Sequence, residues 1–308
     1  MKLSMLLSCL AALASSASGE NLRVRNLAGV SGSIDLCFSE KSTVQVLGKG
    51  TVAMKDLHVG DQVLTKDGIS YEPVYAFAHR DETTETEFLQ IATSSSAEPL
   101  ELSVSHMVYV QGKQYPVPAN SLKVGSVLQT GVQGATILSI DTVQRSGLYA
   151  PLTPSGNVWV NGIHASAYVN LQEGSTSEHW LLQANRSSGF SNQFLSNMFM
   201  SPFRMFCMGV SSDLCQEHDQ NGMSFYFAHS FKFSQWYQTL PTAVQYVLLA
   251  VVLVVFGSFY MLESLVGATY APLVMVMVAV TCAVRKVRRS SSSPVMADSE
   301  ARKPLLDV

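Results

Sequence analysis

Residues 37–65 read CFSEKSTVQVLGKGTVAMKDLHVGDQVLT. β-Branched and apolar residues come in short runs, TVQVL and QVLT, separated by glycine-bearing turns, and no 3.6-residue period is sustained. The same texture continues through FLQIAT, MVYV, ATILSIDTV and NVWVNGI, with KDG, QGK and PSGN as turn signals. Strands this short at this spacing predict a compact all-β domain over residues 37–170 rather than alternating βαβ units. Within it, DLHVGDQVLT at 56–65 echoes SLKVGSVLQT at 121–130. The match points either to two related halves or to two similar strand starts that each follow a glycine turn.

Upstream, Lys2, the apolar stretch Leu3–Ala14 and the small residues of SSASGE have the charged, apolar and cleavable order of a secretory signal over residues 1–19. Residues 20–36 would then form a short segment in front of Cys37. Downstream, residues 171–240 are polar and aromatic and read as a lumenal connector, with a glycosylation sequon at Asn185. Thr242–Leu262 and Ser264–Val284 are uncharged for 21 residues each, long enough to cross a bilayer. Arg285, Lys286, Arg288 and Arg289 follow, which the positive-inside rule puts in the cytosol, and residues 285–308 are expected to form a disordered polar tail. A lumenal start and a cytosolic end require an odd number of crossings. Either one tract of 241–284 is interfacial or packed on protein, or the pair is a hairpin that defies the charge rule.

Composition narrows the class. The chain has 308 residues, 47% apolar and 14% charged, with a net charge of −3, so no basic face is available for nucleic acid. The seven histidines do not cluster with carboxylates or cysteines at metal-ligand spacing, and no phosphate loop or G-x-S-x-G elbow is present. No metal and no cofactor are expected. Of the five cysteines, Cys9 lies in the signal and Cys282 in an apolar run. Cys207 and Cys215 flank the short loop MGVSSDL and are expected to pair in an oxidising compartment, which leaves Cys37 as the free thiol.

A thiol can attack the carbonyl of its own preceding residue through a five-membered ring, because both groups are tethered already. The fold must add a donor for the oxyanion, a group that takes the sulfur proton and an acid for the departing nitrogen. Ser103 and His106, in LSVSHMVYV, supply a hydroxyl and an imidazole at S-x-x-H spacing on or beside a strand.

The run at 37–65, the S-x-x-H segment and SGLYAPLTPSGNVWVNGIHASAYV, in that order, resemble the Hint domain of hedgehog proteins, their self-cleaving Hog half. The resemblance covers residues 37–170. It implies an all-β, pseudo-twofold Hint (hedgehog/intein) fold, here followed by a mixed connector and C-terminal apolar helices. It also implies an N-to-S acyl shift at the Leu36–Cys37 bond, then attack of a sterol hydroxyl on the thioester. By the same resemblance Cys37 is the nucleophile, Ser103 stands where a threonine destabilises the scissile amide, and His106 assists the shift.

The chain departs from the family pattern at three places. His79 stands where animal hedgehogs carry an aspartate that activates the sterol, with Asp81 close enough in sequence to help. Leu36 replaces a glycine, Ala167 replaces a cysteine near the domain's end, and His164 in GIHAS reads as a packed residue. No terminal Asn followed by a nucleophile is present, so ligation of the intein kind is not expected. The expected activity is single-turnover autoprocessing, with membrane lipid or sterol as partner and the Hint domain lumenal or extracellular. The alternative is a membrane-anchored lumenal module that keeps the fold for binding and does not cleave.

Overall fold

A computed structural model describes residues 37–65, 68–96, 98–131, 133–169 and 190–291. The expected signal, the 20–36 segment, Leu36, Asn185 and the tail beyond residue 291 lie outside the described residues. The strands are β1 (Thr43–Val46), β2 (Gly50–Ala53), β3 (Gln62–Leu64), β4 (Tyr71–Pro73), β5 (Ala76–Thr93) and β6 (Leu100–Leu102). They continue with β7 (His106–Val108), β8 (Val117–Pro118), β9 (Val127–Leu128), β10 (Ala135–Leu152), β11 (Asn157–Val160) and β12 (Ile163–Val169). One sheet runs β4-β3-β1-β11-β12-β7-β8, with β2 paired to β1; a second runs β6-β5-β10-β9.

The internal echo is a structural repeat. In each copy a 3-10 turn, Met54–Asp56 or Ala119–Ser121, is closed by the N–H of a leucine, Leu57 or Leu122, on the first residue of the turn. Both leucines are buried. Three residues on, Gly60 (φ +95°) and Gly125 (φ +87°) take the left-handed conformation, which frees their N–H groups to reach across. Gly60 N donates to Val74 O and Val74 N to Asp61 O; Gly125 N donates to Ile137 O and Ile137 N to Ser126 O. Identical bonding from related sequence is what the pseudo-twofold reading requires. The long strands β5 and β10 then form one antiparallel ribbon, from Ala76 opposite Leu152 to Thr93 opposite Ile137.

The repeat closes the domain on itself. Val44 of β1 pairs with Val160 of β11, so the chain just past Cys37 is bonded to the chain just before the domain ends. A core of Phe38, Val44, Leu57, Val63, Ile91, Leu102, Val108, Leu128 and Val160 fills the interior.

Helices α1 (Asn192–Gly209), α2 (Phe225–Gln238), α3 (Thr242–Val266) and α4 (Ala271–Ser291) follow. Ser191 caps α1, its hydroxyl accepting from Phe194 N at 3.0 Å. The described part of the expected connector, residues 190–240, is largely helical, because its apolar residues have a surface to bury. Met200, Phe203 and Cys207 of α1 join Tyr75, Leu152, Ala167 and Tyr168 in a second core. Cys207 and Cys215 form the expected disulfide.

The other face of α1 lies along α3, with Phe194 edge-on to Tyr260 and Phe199 against Phe256. Arg204, 2% exposed, donates from Nε and Nη2 to the Glu263 carboxylate. The charge that separates the two apolar tracts in the sequence is thus paired on protein. By length and composition α3 is long enough to cross a membrane, whereas the apolar part of α4 is confined to Ala271–Val284. Fourteen helical residues reach about 21 Å, short of a ~30 Å hydrocarbon core. Gly267, at φ +82°, ends α3 and separates the two helices.

Gly60 and Gly125 have nothing within 4 Å of an added Cβ, so alanine there meets backbone strain alone. Gly60→Ala and Gly125→Ala are each expected to cost roughly 1–2 kcal/mol. Because they sit in different halves, the double variant should lower the thermal midpoint in detergent by the sum of the two shifts.

Candidate active site

Cys37 is held by its backbone from two directions. Phe38 and Tyr149 of β10 exchange N–H···O bonds of 2.9 and 3.1 Å, and Ser103 N donates to the Cys37 carbonyl at 3.0 Å. Two residues further, Ser39 Oγ donates to the Glu101 carboxylate at 2.6 Å. Burial opposes ionisation of Glu101, but the Arg145 guanidinium and the hydroxyl and amide of Ser39 and Gln90 outweigh it and hold its pKa low. Because successive side chains of an extended segment alternate, Phe38 points into the barrel core and Cys37 into the second core under α1. The Cys37 thiol is fully buried and not in a disulfide.

His79, on β5, has its Nδ1 at 3.3 Å from Cys37 Sγ. Its Nε2 lies 2.7 Å from the backbone carbonyl of Asn221. A carbonyl oxygen only accepts, so in the neutral ring Nε2 carries the hydrogen and Nδ1 presents a lone pair. The sulfur therefore donates to Nδ1, the arrangement of a nucleophile beside its base, with the base oriented by a third group.

His106 begins β7, 1% exposed, its ring tilted at 51° to that of Phe38 with centroids 4.1 Å apart. Its Nε2–H donates to Ser166 O at 2.8 Å. Among the described residues, His106 Nδ1 and Ser103 Oγ are buried without a hydrogen-bond partner. Burial pulls the His106 pKa down to about 4, overcoming the Ser166 carbonyl, which favours the charged ring. The imidazole is thus neutral near pH 7.

The remaining sequence candidates go elsewhere. Asp81 is consumed locally: its carboxylate accepts from Thr83 N and Oγ1 at 2.7 and 2.9 Å and from Thr84 N and Oγ1 at 3.1 and 2.6 Å. Burial raises its pKa, but those hydrogen bonds, led by Thr84, prevail and hold it well below the usual carboxylate range. It assists no base in this arrangement. His164 is a packed residue, stacked 3.8 Å from Tyr109 and bonded to Asn157 and Gln129. Ala167 shares the second core with Cys37. Sequence reasoning missed Asn221 and Glu101. Glu101 is a charge inside an apolar run, LEL, which is a legible signal for a buried partner; a backbone carbonyl 142 positions from His79 leaves none.

With this geometry in place, comparison with known proteins fixes the family. Residues 25–239 match the Hint module, and the chain belongs to that family. Warthog protein 8 of Caenorhabditis elegans is 30% identical over 176 residues, which cover 50% of this chain and 32% of that protein. Tiggy-winkle hedgehog protein of Danio rerio is 30% identical over 159 residues, covering 47% and 38%. The aligned part of the chain thus spans about a third of these relatives' length. The crystal structure of the gp41-1 intein aligns with 42% of this chain and 98% of its own, at 19% identity and a TM-score of 0.37. The hedgehog-type Hint reading and its fold, a strand-built domain followed by apolar helices, are borne out.

His106 generates a pH dependence of stability. An unfolded histidine titrates near 6.5 and the folded one near 4. Its contribution is therefore complete above pH 6.5 and is lost as pH falls from 6.5 towards 4. The loss is roughly 3 kcal/mol. Thermal midpoints measured across this range should fall more steeply for the wild type than for His106→Gln.

Proposed function

We propose that the chain cuts its own backbone between Leu36 and Cys37 by an N-to-S acyl shift. The observation that carries this reading is the buried Cys37 thiol, outside any disulfide and bonded to His79 Nδ1, while Asn221 holds Nε2–H. As the sulfur adds to the Leu36 carbonyl carbon, its proton passes to His79. The carbon–nitrogen bond then breaks, and one proton arrives on the departing Cys37 nitrogen, so the step balances without an external acid. Ser103 Oγ and the lone pair of His106 Nδ1, unpartnered within one turn of the bond that fixes the Cys37 carbonyl, are suited to bind the amide upstream of Cys37. Being neutral, His106 accepts from the amide N–H through Nδ1, and the proton that reaches the departing nitrogen is the one that left sulfur by way of His79.

Resolution of the thioester needs a second nucleophile, and His79 is placed to take its proton too. In the hedgehog family pattern this is a sterol hydroxyl, which would leave residues 20–36 esterified; water and small thiols compete. Packing of α1 on α3 supports an acceptor drawn from the lipid phase. The disulfide supports an oxidising lumenal or extracellular site for the domain, with Asn185 glycosylated. The chemistry needs no cofactor.

Hydroxylamine added to the purified full chain in detergent should release the segment upstream of Cys37 as a hydroxamate, read by intact mass. Cys37→Ala is expected to abolish release, and His79→Ala to slow it by about 10²- to 10⁴-fold. Asp81→Asn should leave the rate near that of the wild type. A wild-type mass unchanged under hydroxylamine and under added sterol would sink the proposal and leave the binding-module reading in its place.

A further inference from the structure

We infer that residues 207–224, fastened by the Cys207–Cys215 disulfide, are a positioning element for the base, so that cleavage depends on this bridge being oxidised. The inference rests on the proposed role of His79. Three backbone contacts set the segment against β5 on both sides of that histidine. Asn221 O takes the His79 Nε2–H at 2.7 Å. Arg80 N donates to Gly222 O at 2.8 Å and Ser224 N to Ala78 O at 3.0 Å. The turn is pinned from within by Asp219, whose Oδ1 accepts from Asn221 N and Met223 N at 2.9 and 3.0 Å.

The approach leaves no room for a side chain at its tip. Gly222 sits at φ +75°, and a Cβ there would stand 2.6 Å from Arg80 O and 2.7 Å from Asp81 Cβ. At its other end the segment is joined to α1 through the buried pair Cys207 and Cys215, in the same core as Cys37. Val210 and Leu214 of the intervening loop are 63% and 47% exposed, while beyond Cys215 the segment also meets β5 through His218, whose Nε2 lies 3.3 Å from Phe77 O. The chemistry turns on the tautomer. With the Asn221 carbonyl in place, Nδ1 is an acceptor facing sulfur. Without it the ring is free to carry its hydrogen on Nδ1, where it cannot take the thiol proton. Reduction delivers two electrons and two protons to the disulfide; with a phosphine and water as reductant the products are two thiols and the phosphine oxide.

The test follows hydroxylamine release from the full chain in detergent, without added thiol, as a function of pH. Gly222→Ala, the Cys207→Ser/Cys215→Ser double variant and phosphine-reduced wild type should each lose at least about tenfold in rate near pH 7. Their rates should climb towards the free-thiol pKa of about 8.5, where no base is needed. Gly162→Ala, at a left-handed glycine with nothing within 4 Å of an added Cβ, controls for backbone strain and should keep the wild-type profile. In a His79→Ala background, Gly222→Ala should cost nothing further. A wild-type profile for Gly222→Ala, or an equal loss in both backgrounds, overturns the inference. If His79→Ala itself keeps the wild-type profile, the base assignment fails instead, and if the wild type does not cleave, the proposed function does.

Discussion

A carbonyl oxygen has lone pairs and no hydrogen, and that asymmetry organises the site. Asn221 O obliges His79 to place its hydrogen on Nε2, which turns Nδ1 towards sulfur as an acceptor. Everything else in the domain serves to bring those three atoms together. The bridge between Phe38 and Tyr149 sets the height of Cys37 against β10, and β5, paired to β10 along its length, carries His79 to the same level. The third atom comes from beyond the barrel, so the part of the chain that looks peripheral completes the geometry.

The arrangement has a cost in buried polarity. His106 Nδ1 and Ser103 Oγ lie among apolar neighbours such as Phe38 with no partner among the described residues. An unsatisfied buried group of this kind costs about 1–3 kcal/mol. Such orphans are expected where a site has been shaped around a group that reacts. The depressed basicity of His106 belongs to the same picture: burial that makes the ring reluctant to charge also leaves its lone pair available at neutral pH.

Much of the fold was legible in residues 37–65 and their echo, because glycine at a left-handed corner and leucine beneath it have one structural meaning in both copies. Cys37 was singled out as the odd cysteine, and Ser103 and His106 by their S-x-x-H spacing; their roles came from the hedgehog resemblance. His79 was found for a different reason, as a departure from a family pattern, and its contact with sulfur depended on strand register that no local motif encodes. Asp81 looked like an assistant because proximity in sequence does not say where a carboxylate turns: here it turns onto Thr83 and Thr84 of its own strand. Helices α1 and α2 were read as part of a connector because residues 171–240 are polar and aromatic. Their burial depends on the partner surface of Tyr75, Leu152 and Tyr168.

The pairing of Val44 with Val160, together with the reach of Asn221 back to His79, has a consequence for biosynthesis. A nascent chain that has emerged only through β10 has a thiol but no closed sheet, and one that has emerged through β12 still lacks the oxygen that sets the imidazole. On the proposed cleavage, the geometry at His79 is complete only when residues up to Ser224 have left the ribosome and folded back. Under that proposal the order of synthesis delays the step, so that the fragment ahead of Cys37 stays attached until the chain has been made well past the last strand.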